Sequence, residues 1–304
     1  MAAPVTPPDL DGAQESGDRG LTYRSVWRDL MDTPFEQGFI DAGGVRTRFV
    51  HAGDPAAPAV LMVHGTGGSW ETFCSNIGPI SKVFNVYAID TLGGGYTGKP
   101  DFPYEIPRYV KHFVDFMDAM GIRRASLIGC SLGAWSACRL AVDHPDRVDK
   151  LILISVGGLK SLPAAERQGL ESRRTSVKDP TWESVSDVVS RLVYSGKMAD
   201  DLIAVRQKIY MQPEMREAMK HLLALTDPDV RERNNLKPDE WRSINAPTLV
   251  IAHKDSPDMW LETSYEVAQL IPNAQLVEIG ETSHWSHFEK PALFNQLALD
   301  FLKG

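Results

Sequence analysis

The chain has 304 residues, 43% of them hydrophobic and 24% charged, with 24 glycines and 20 prolines. That is ordinary composition for one large or two modest globular domains, and it excludes collagen-like, mucin-like and wholly disordered chains. The 40 acidic residues outnumber the 32 basic ones, for a net charge of −8, and the cations are not clustered. A nucleic-acid partner is therefore not expected, because a phosphate backbone is gripped by grouped Lys and Arg.

Residues 1–20 are rich in Pro, Gly, Asp and Ala, show no apolar period, and read as a mobile tail. They lack a basic start followed by an apolar stretch, so no secretory signal is expected. The longest apolar runs, such as 151–156, fall far short of the roughly 20 residues that cross a bilayer. Cys74, Cys130 and Cys138 are too few, and odd in number, for a disulfide framework. A cytoplasmic protein with reduced thiols and no membrane partner is the expectation.

Two alternating runs, 39–41 and 45–51, flank Gly43-Gly44 and predict a hairpin. Short Val-, Ile- and Leu-rich runs follow at 60–63, 86–89, 126–128, 151–154, 248–251 and 275–279. Helical stretches at 109–120 and 132–143 separate three of them. Buried strands with intervening helices predict an α/β fold, a mostly parallel central sheet flanked by helices. Between about 157 and 243 the strands stop, and 181–194, 199–211 and 213–225 read as helices. Met215, Met219 and Leu222 fall at i, i+4 and i+7 in the third, a spacing that reads first as packing. The predicted organisation is a tail (1–20), a core (21–157), an inserted helical lid (158–243) and the rest of the core (244–304).

Gly129-Cys130-Ser131-Leu132-Gly133 lies between a predicted strand and a predicted helix. A G-x-S-x-G turn in that setting pushes the serine hydroxyl outward, and the helix N-terminus offers unpaired N–H groups to a developing anion. His64-Gly65-Thr66-Gly67-Gly68 follows the strand at 60–63, and its glycines would let backbone N–H groups complete an oxyanion hole. His64 itself reads as structural. A serine nucleophile needs a base and an orienting acid. His284, in the loop after the last strand, is the first choice of base, with His287 in reserve; His112 and His144, on or beside helices, read as surface residues. For the acid, Asp255 is the first carboxylate after the strand at 248–251, and Asp258 is the fallback. The chain order Ser–Asp–His suits an α/β-hydrolase. No histidine and cysteine spacing suits a metal. Arg123-Arg124 and Arg173-Arg174 read as solvated faces.

Over residues 36–304 the sequence resembles the α/β-hydrolase fold, and more narrowly the hydrolases that cleave carbon–carbon bonds in meta-cleavage (ring-fission) products. The motifs that carry the resemblance are HGTGG at 64–68, Asn76-Ile77-Gly78-Pro79, NVYAID at 85–90, GCSLG at 129–133, Gly157-Gly158-Leu159, and His284-Trp285 followed by Phe288-Glu289-Lys290-Pro291. The resemblance implies 2-hydroxy-6-oxo-dienoate substrates, ketonised and then hydrolysed, with no cofactor. It implies Ser131 as nucleophile, Asp255 as acid, His284 as base, and the Thr66 and Leu132 N–H groups as the oxyanion hole. Arg206 matches the arginine that holds the dienol end, and Trp285 a tryptophan packed on the substrate.

Three positions depart from the family pattern. Cys130 and Thr72 stand where substrate-binding asparagines are usual, and Cys130 reads as a small apolar wall. An ungapped count back from Ile271-Pro272 puts the usual Asp at Ser256, so Asp255 requires a one-residue shift. A carboxylesterase, thioesterase or lactonase on a small apolar substrate is the alternative, and a non-catalytic ligand-binding protein on the same fold a third reading. The expected partners are a small-molecule substrate and, at most, further copies of the chain.

Overall fold

Short apolar runs separated by glycine and proline turns give eight strands, seen in a computed structural model that describes residues 25–304. The tail expected over 1–20 lies outside the described residues. The strands are β1 (Phe35–Ala42), β2 (Val45–Ala52), β3 (Ala59–Val63), β4 (Asn85–Ile89), β5 (Ala125–Cys130), β6 (Val148–Ile154), β7 (Thr248–His253) and β8 (Ala274–Ile279). They form one sheet in the order β1-β2-β4-β3-β5-β6-β7-β8, antiparallel at β1/β2 and β2/β4 and parallel from β4 to β8. Every residue of β4, β5 and β7 is buried, which is why these strands read as unbroken apolar runs. The hairpin turn sits at Gly43 and Gly44, with φ of 61° and 88°. Strand β1 starts four residues before the predicted run, at Phe35, because Phe35, Glu36 and Gln37 are all exposed, on both faces, and show no alternation.

Helices α1 (Cys74–Ser81), α2 (Ile106–Ala119) and α3 (Leu132–Asp143) follow β3, β4 and β5. Between β6 and β7 come α4 (Ala164–Lys178), α5 (Trp182–Ser190), α6 (Asp200–Tyr210), α7 (Met215–Leu222), α8 (Pro228–Asn234) and α9 (Pro238–Arg242). The core closes with α10 (Met259–Leu270), α11 (Ser286–Glu289) and α12 (Pro291–Lys303). The sequence pattern does not reveal helix α4, because Leu170 and Val177 are its only large apolar residues and make no stripe. Met215, Met219 and Leu222 are all buried. His112, expected at the surface, is buried on α2, where its Nε2 meets the Thr47 hydroxyl at 2.8 Å. No helix among the described residues is long and apolar enough to cross a membrane.

A buried ion cluster holds together the loops that carry the site. Arg48 of β2 bonds Asp90, just after β4, at 2.6 Å and Glu71, in the turn after β3, at 2.8 Å. Asp90 also accepts from the Trp70 and Tyr96 backbone N–H groups at 2.9 and 2.8 Å. Its bonds tie the segments after β3 and β4 into one rigid rim.

Candidate active site

Strand β5 ends at Cys130 and α3 begins at Leu132, so a single residue makes the turn. That residue, Ser131, sits at φ 55° and ψ −112°. Positive φ is uncommon outside glycine, and in a strand-to-helix elbow it presents the hydroxyl at the carboxyl end of the sheet. The flanking glycines are steric necessities. A Cβ on Gly129 would lie 2.6 Å from the Ala134 nitrogen, and one on Gly133 would lie 2.3 Å from the Val63 carbonyl oxygen.

Ser131, His284, Thr66 and Leu132 border one cavity of about 360 Å³ at the carboxyl ends of the parallel strands. That volume suits a small molecule, and that end of an α/β sheet is where ligands bind. The Thr66 and Leu132 backbone N–H groups donate to no other described residue. His64 is structural: its Nε2 accepts from the Thr91 N–H at 2.9 Å and its Nδ1 donates to the Gly65 carbonyl at 2.7 Å. Burial lowers its pKa to about 4, so it stays neutral.

The loop after β8 carries His284. Its carbonyl accepts from the Ser155 hydroxyl at 3.0 Å and from the Cys130 thiol at 3.7 Å, while Trp260 meets the imidazole edge-on at 4.5 Å. The Nδ1 atom is buried with no partner among the described residues. Burial pushes the pKa of His284 down to about 3, opposed by the charge of Asp258. His287, the reserve base, packs against Phe73 at 4.7 Å and does not border the cavity.

The two candidate acids part company. Asp255 is exposed, accepts from the Glu281 N–H at 2.8 Å, and makes no hydrogen bond to His284. Asp258 borders the cavity and caps α10 by accepting from the Leu261 N–H at 2.8 Å. It also accepts from His253 Nε2 at 3.0 Å, and its charge acts on His284. Ser256 borders the cavity as well, its hydroxyl 3.1 Å from that of Ser283, the residue before His284. The structure thus brings together the serine, the histidine and the two amides, and leaves His284 Nδ1 without a carboxylate.

Of the expected substrate contacts, Trp285 and Thr72 border the cavity, the Thr72 hydroxyl being turned to the Ser69 carbonyl at 3.2 Å. Cys130 is buried behind the wall rather than in it, its thiol directed at His284. Arg206 is also buried and is not part of the wall. Three arginines do border the cavity, Arg173, Arg191 and Arg231, and Arg173 of α4 is one that the sequence pattern places on a solvated face. Its Nη1 donates to the Thr66 carbonyl at 2.6 Å. Arg173 Nε and Arg206 Nη1 are buried without partners, and neither arginine pairs with a described carboxylate. Burial, and then the nearby charge of Arg206, hold the pKa of Arg173 down at about 10, with Tyr210 opposing.

A family model described as the alpha/beta hydrolase fold matches residues 58–291. The chain is 30% identical to the 2-hydroxy-6-oxo-6-(2'-aminophenyl)hexa-2,4-dienoic acid hydrolase of Metapseudomonas resinovorans, over 89% of this chain and 92% of that one. It is 31% identical to the 2-hydroxymuconate semialdehyde hydrolase of Pseudomonas sp. strain CF600, over 86% of this chain and 92% of that one. Among solved structures it shares the fold of the meta-cleavage product hydrolase from Pseudomonas fluorescens IP01, with a TM-score of 0.76 and 24% identity over 88% of this chain and 97% of that one.

Proposed function

The chain belongs to the α/β-hydrolase family, and we propose that within it the protein is a serine hydrolase cleaving a carbon–carbon bond in a 2-hydroxy-6-oxo-dienoate. The observation that carries this reading is the Arg173 and Arg206 pair, two buried guanidiniums without a carboxylate partner behind and beside the cavity that holds Ser131 and His284. An uncompensated buried charge costs several kcal/mol, on the order of 3–5 when a pair is broken, and a substrate carboxylate removes that cost. A neutral ester does not. One relative is named for a dienoic acid, which brings the required charge.

With the carboxylate facing Arg173, and the charge of Arg206 adding its attraction from behind the wall, the substrate carbonyl lies over Ser131, and the α4–α8 block serves as the lid. Ketonisation moves the proton of the 2-hydroxyl to C5 and leaves a 2-oxo-3-enoate that can accept an electron pair. His284 takes the Ser131 proton, and Oγ adds to C6. The oxyanion accepts from the Thr66 and Leu132 N–H groups. Collapse breaks the C5–C6 bond, its electrons passing through the enone to the C2 oxygen, which takes the proton held by His284 and leaves as the 2-hydroxy-dienoate; neutral His284 then activates a water that releases the acyl group from Ser131 as a carboxylic acid. Asp258 is the acid that stabilises the imidazolium.

The test follows the visible absorbance of a dienoate with purified protein. Turnover should fall by about a thousandfold or more in Ser131→Ala, since triad members act as a unit. Arg173→Gln and Arg206→Gln should each lower dienoate kcat/KM by about 10- to 100-fold, and p-nitrophenyl acetate turnover by far less. Ester turnover without dienoate turnover would replace this reading with the esterase one, which the missing amide groups at Thr72 and Cys130 favour.

A further inference from the structure

The cavity wall holds another cation, Arg231 of α8, that the carboxylate facing Arg173 leaves unused. It is only 6% exposed. Its Nε donates to the Lys160 carbonyl at 2.8 Å, and its guanidinium lies over the Trp135 ring, 4.9 Å from the centroid. The terminal nitrogens make no hydrogen bond to a described residue, and they flank Gly157, where even an added Cβ would stand 3.8 Å from Nη2. Arg191, on the same wall, is paired with Asp187 at 2.6 Å. Arg231 pairs with no described carboxylate, although Glu166 and Asp258 border the same cavity. Burial lowers its pKa to about 10, so it remains charged at neutral pH.

Sheet order fixes where this cation stands. Strand β5, which delivers Ser131, lies between β3 and β6. Arg173 meets Thr66 beyond the end of β3, and Arg231 stands beside Gly157 beyond the end of β6. Those two strands are about 10 Å apart, with the nucleophile between them. A substrate whose first carboxylate faces Arg173 therefore directs its acyl substituent toward Arg231.

We propose that Arg231 is a specificity-determining residue that binds a second carboxylate, carried on the acyl side, so that the preferred substrate is a dicarboxylate. The assignment rests on the dienoate reading for the position of the first carboxylate. A hydrogen-bonded carboxylate on a buried guanidinium is a strong contact, and Gly157 keeps the approach open.

Two dienoates of equal length test it, one ending in a carboxylate at the acyl terminus and the other in a methyl group. The wild type should favour the diacid by at least about tenfold in kcat/KM. Arg231→Met should bring that ratio to about one, and Arg231→Lys should retain part of it. A wild type that favours the monoacid overturns the proposal, as does an Arg231→Met variant that loses both substrates and keeps the ratio. Calorimetric titration of the same three proteins with succinate and butyrate needs no turnover. Tighter succinate binding in the wild type and Arg231→Lys but not in Arg231→Met supports the second anion site even if no dienoate is cleaved, in which case the dienoate reading alone fails. Equal binding of the two acids to the wild type overturns the site itself.

Discussion

Replacing each candidate acid by its amide separates Asp258 from Asp255. Asn caps a helix about as well as Asp, so Asp258→Asn keeps an acceptor for the Leu261 N–H and for His253 while removing the charge. The charge is what acts on His284, where it favours the imidazolium that forms when Ser131 gives up its proton. A nearby opposite charge raises an imidazole pKa by about 1–2 units, and at 1.36 kcal/mol per unit its removal is about a 10- to 100-fold loss in kcat. Asp255→Asn touches an exposed side chain whose partner is the Glu281 N–H, so kcat should stay within about twofold and stability within about 1 kcal/mol. Steady-state turnover and thermal midpoints of the two variants decide the matter. A larger kcat loss in Asp255→Asn, with Asp258→Asn near wild type, would refute the assignment.

The free Nδ1 of His284 and the seat of Ser256 beside Ser283 predict a rescue. Ser256→Asp added to Asp258→Asn should recover at least about tenfold of the lost kcat, and no recovery would mean that Ser256 does not face the imidazole. The acid limb of kcat/KM should lie below pH 6.5. Only neutral His284 can take the Ser131 proton, and burial disfavours the charged form, so the neutral form persists to lower pH than in water; a limb above 6.5 would contradict this. Arg48→Met leaves Glu71 and Asp90 buried without their cation, and should cost about 3–5 kcal/mol in denaturant unfolding. A loss below about 1 kcal/mol would show that the cluster is not what holds the rim.

What the sequence made legible follows from sterics and burial. The elbow is readable because Gly129 and Gly133 sit where no side chain fits, and those clashes are local to the motif. The inner strands are readable because burial on both faces demands unbroken apolar runs. Arg173 was not readable. Adjacent helical residues point about 100° apart, so Arg174 turns outward to Glu171 at 2.5 Å while Arg173 turns into the core; a charged dipeptide looks the same whichever member is buried. The acid was ambiguous for a related reason. Spacing places a loop to within a residue or two, but Asp255, Ser256 and Asp258 face different neighbours, and only the path of the backbone decides which of them shares the cavity with His284.

Cys130 and Thr72 looked like lost grip on the substrate, and the fold changes what that loss means. Cys130 points at the His284 carbonyl, and the Thr72 hydroxyl is committed to Ser69, so neither offers a polar group to the cavity. On the proposed reading, Arg173 brings polarity to the same wall, from a helix that lies outside all the family motifs. A neutral amide contributes about 0.5–1.5 kcal/mol per hydrogen bond and serves esters and carboxylates alike, whereas a buried guanidinium contributes about 1.5–3 kcal/mol to a carboxylate. The same guanidinium remains uncompensated beside a neutral ligand. Trading amides for a second arginine therefore strengthens the discrimination between a dienoate and a simple ester, and the two departures that first favoured the esterase reading become, with Arg173 in place, a reason to expect the charged substrate.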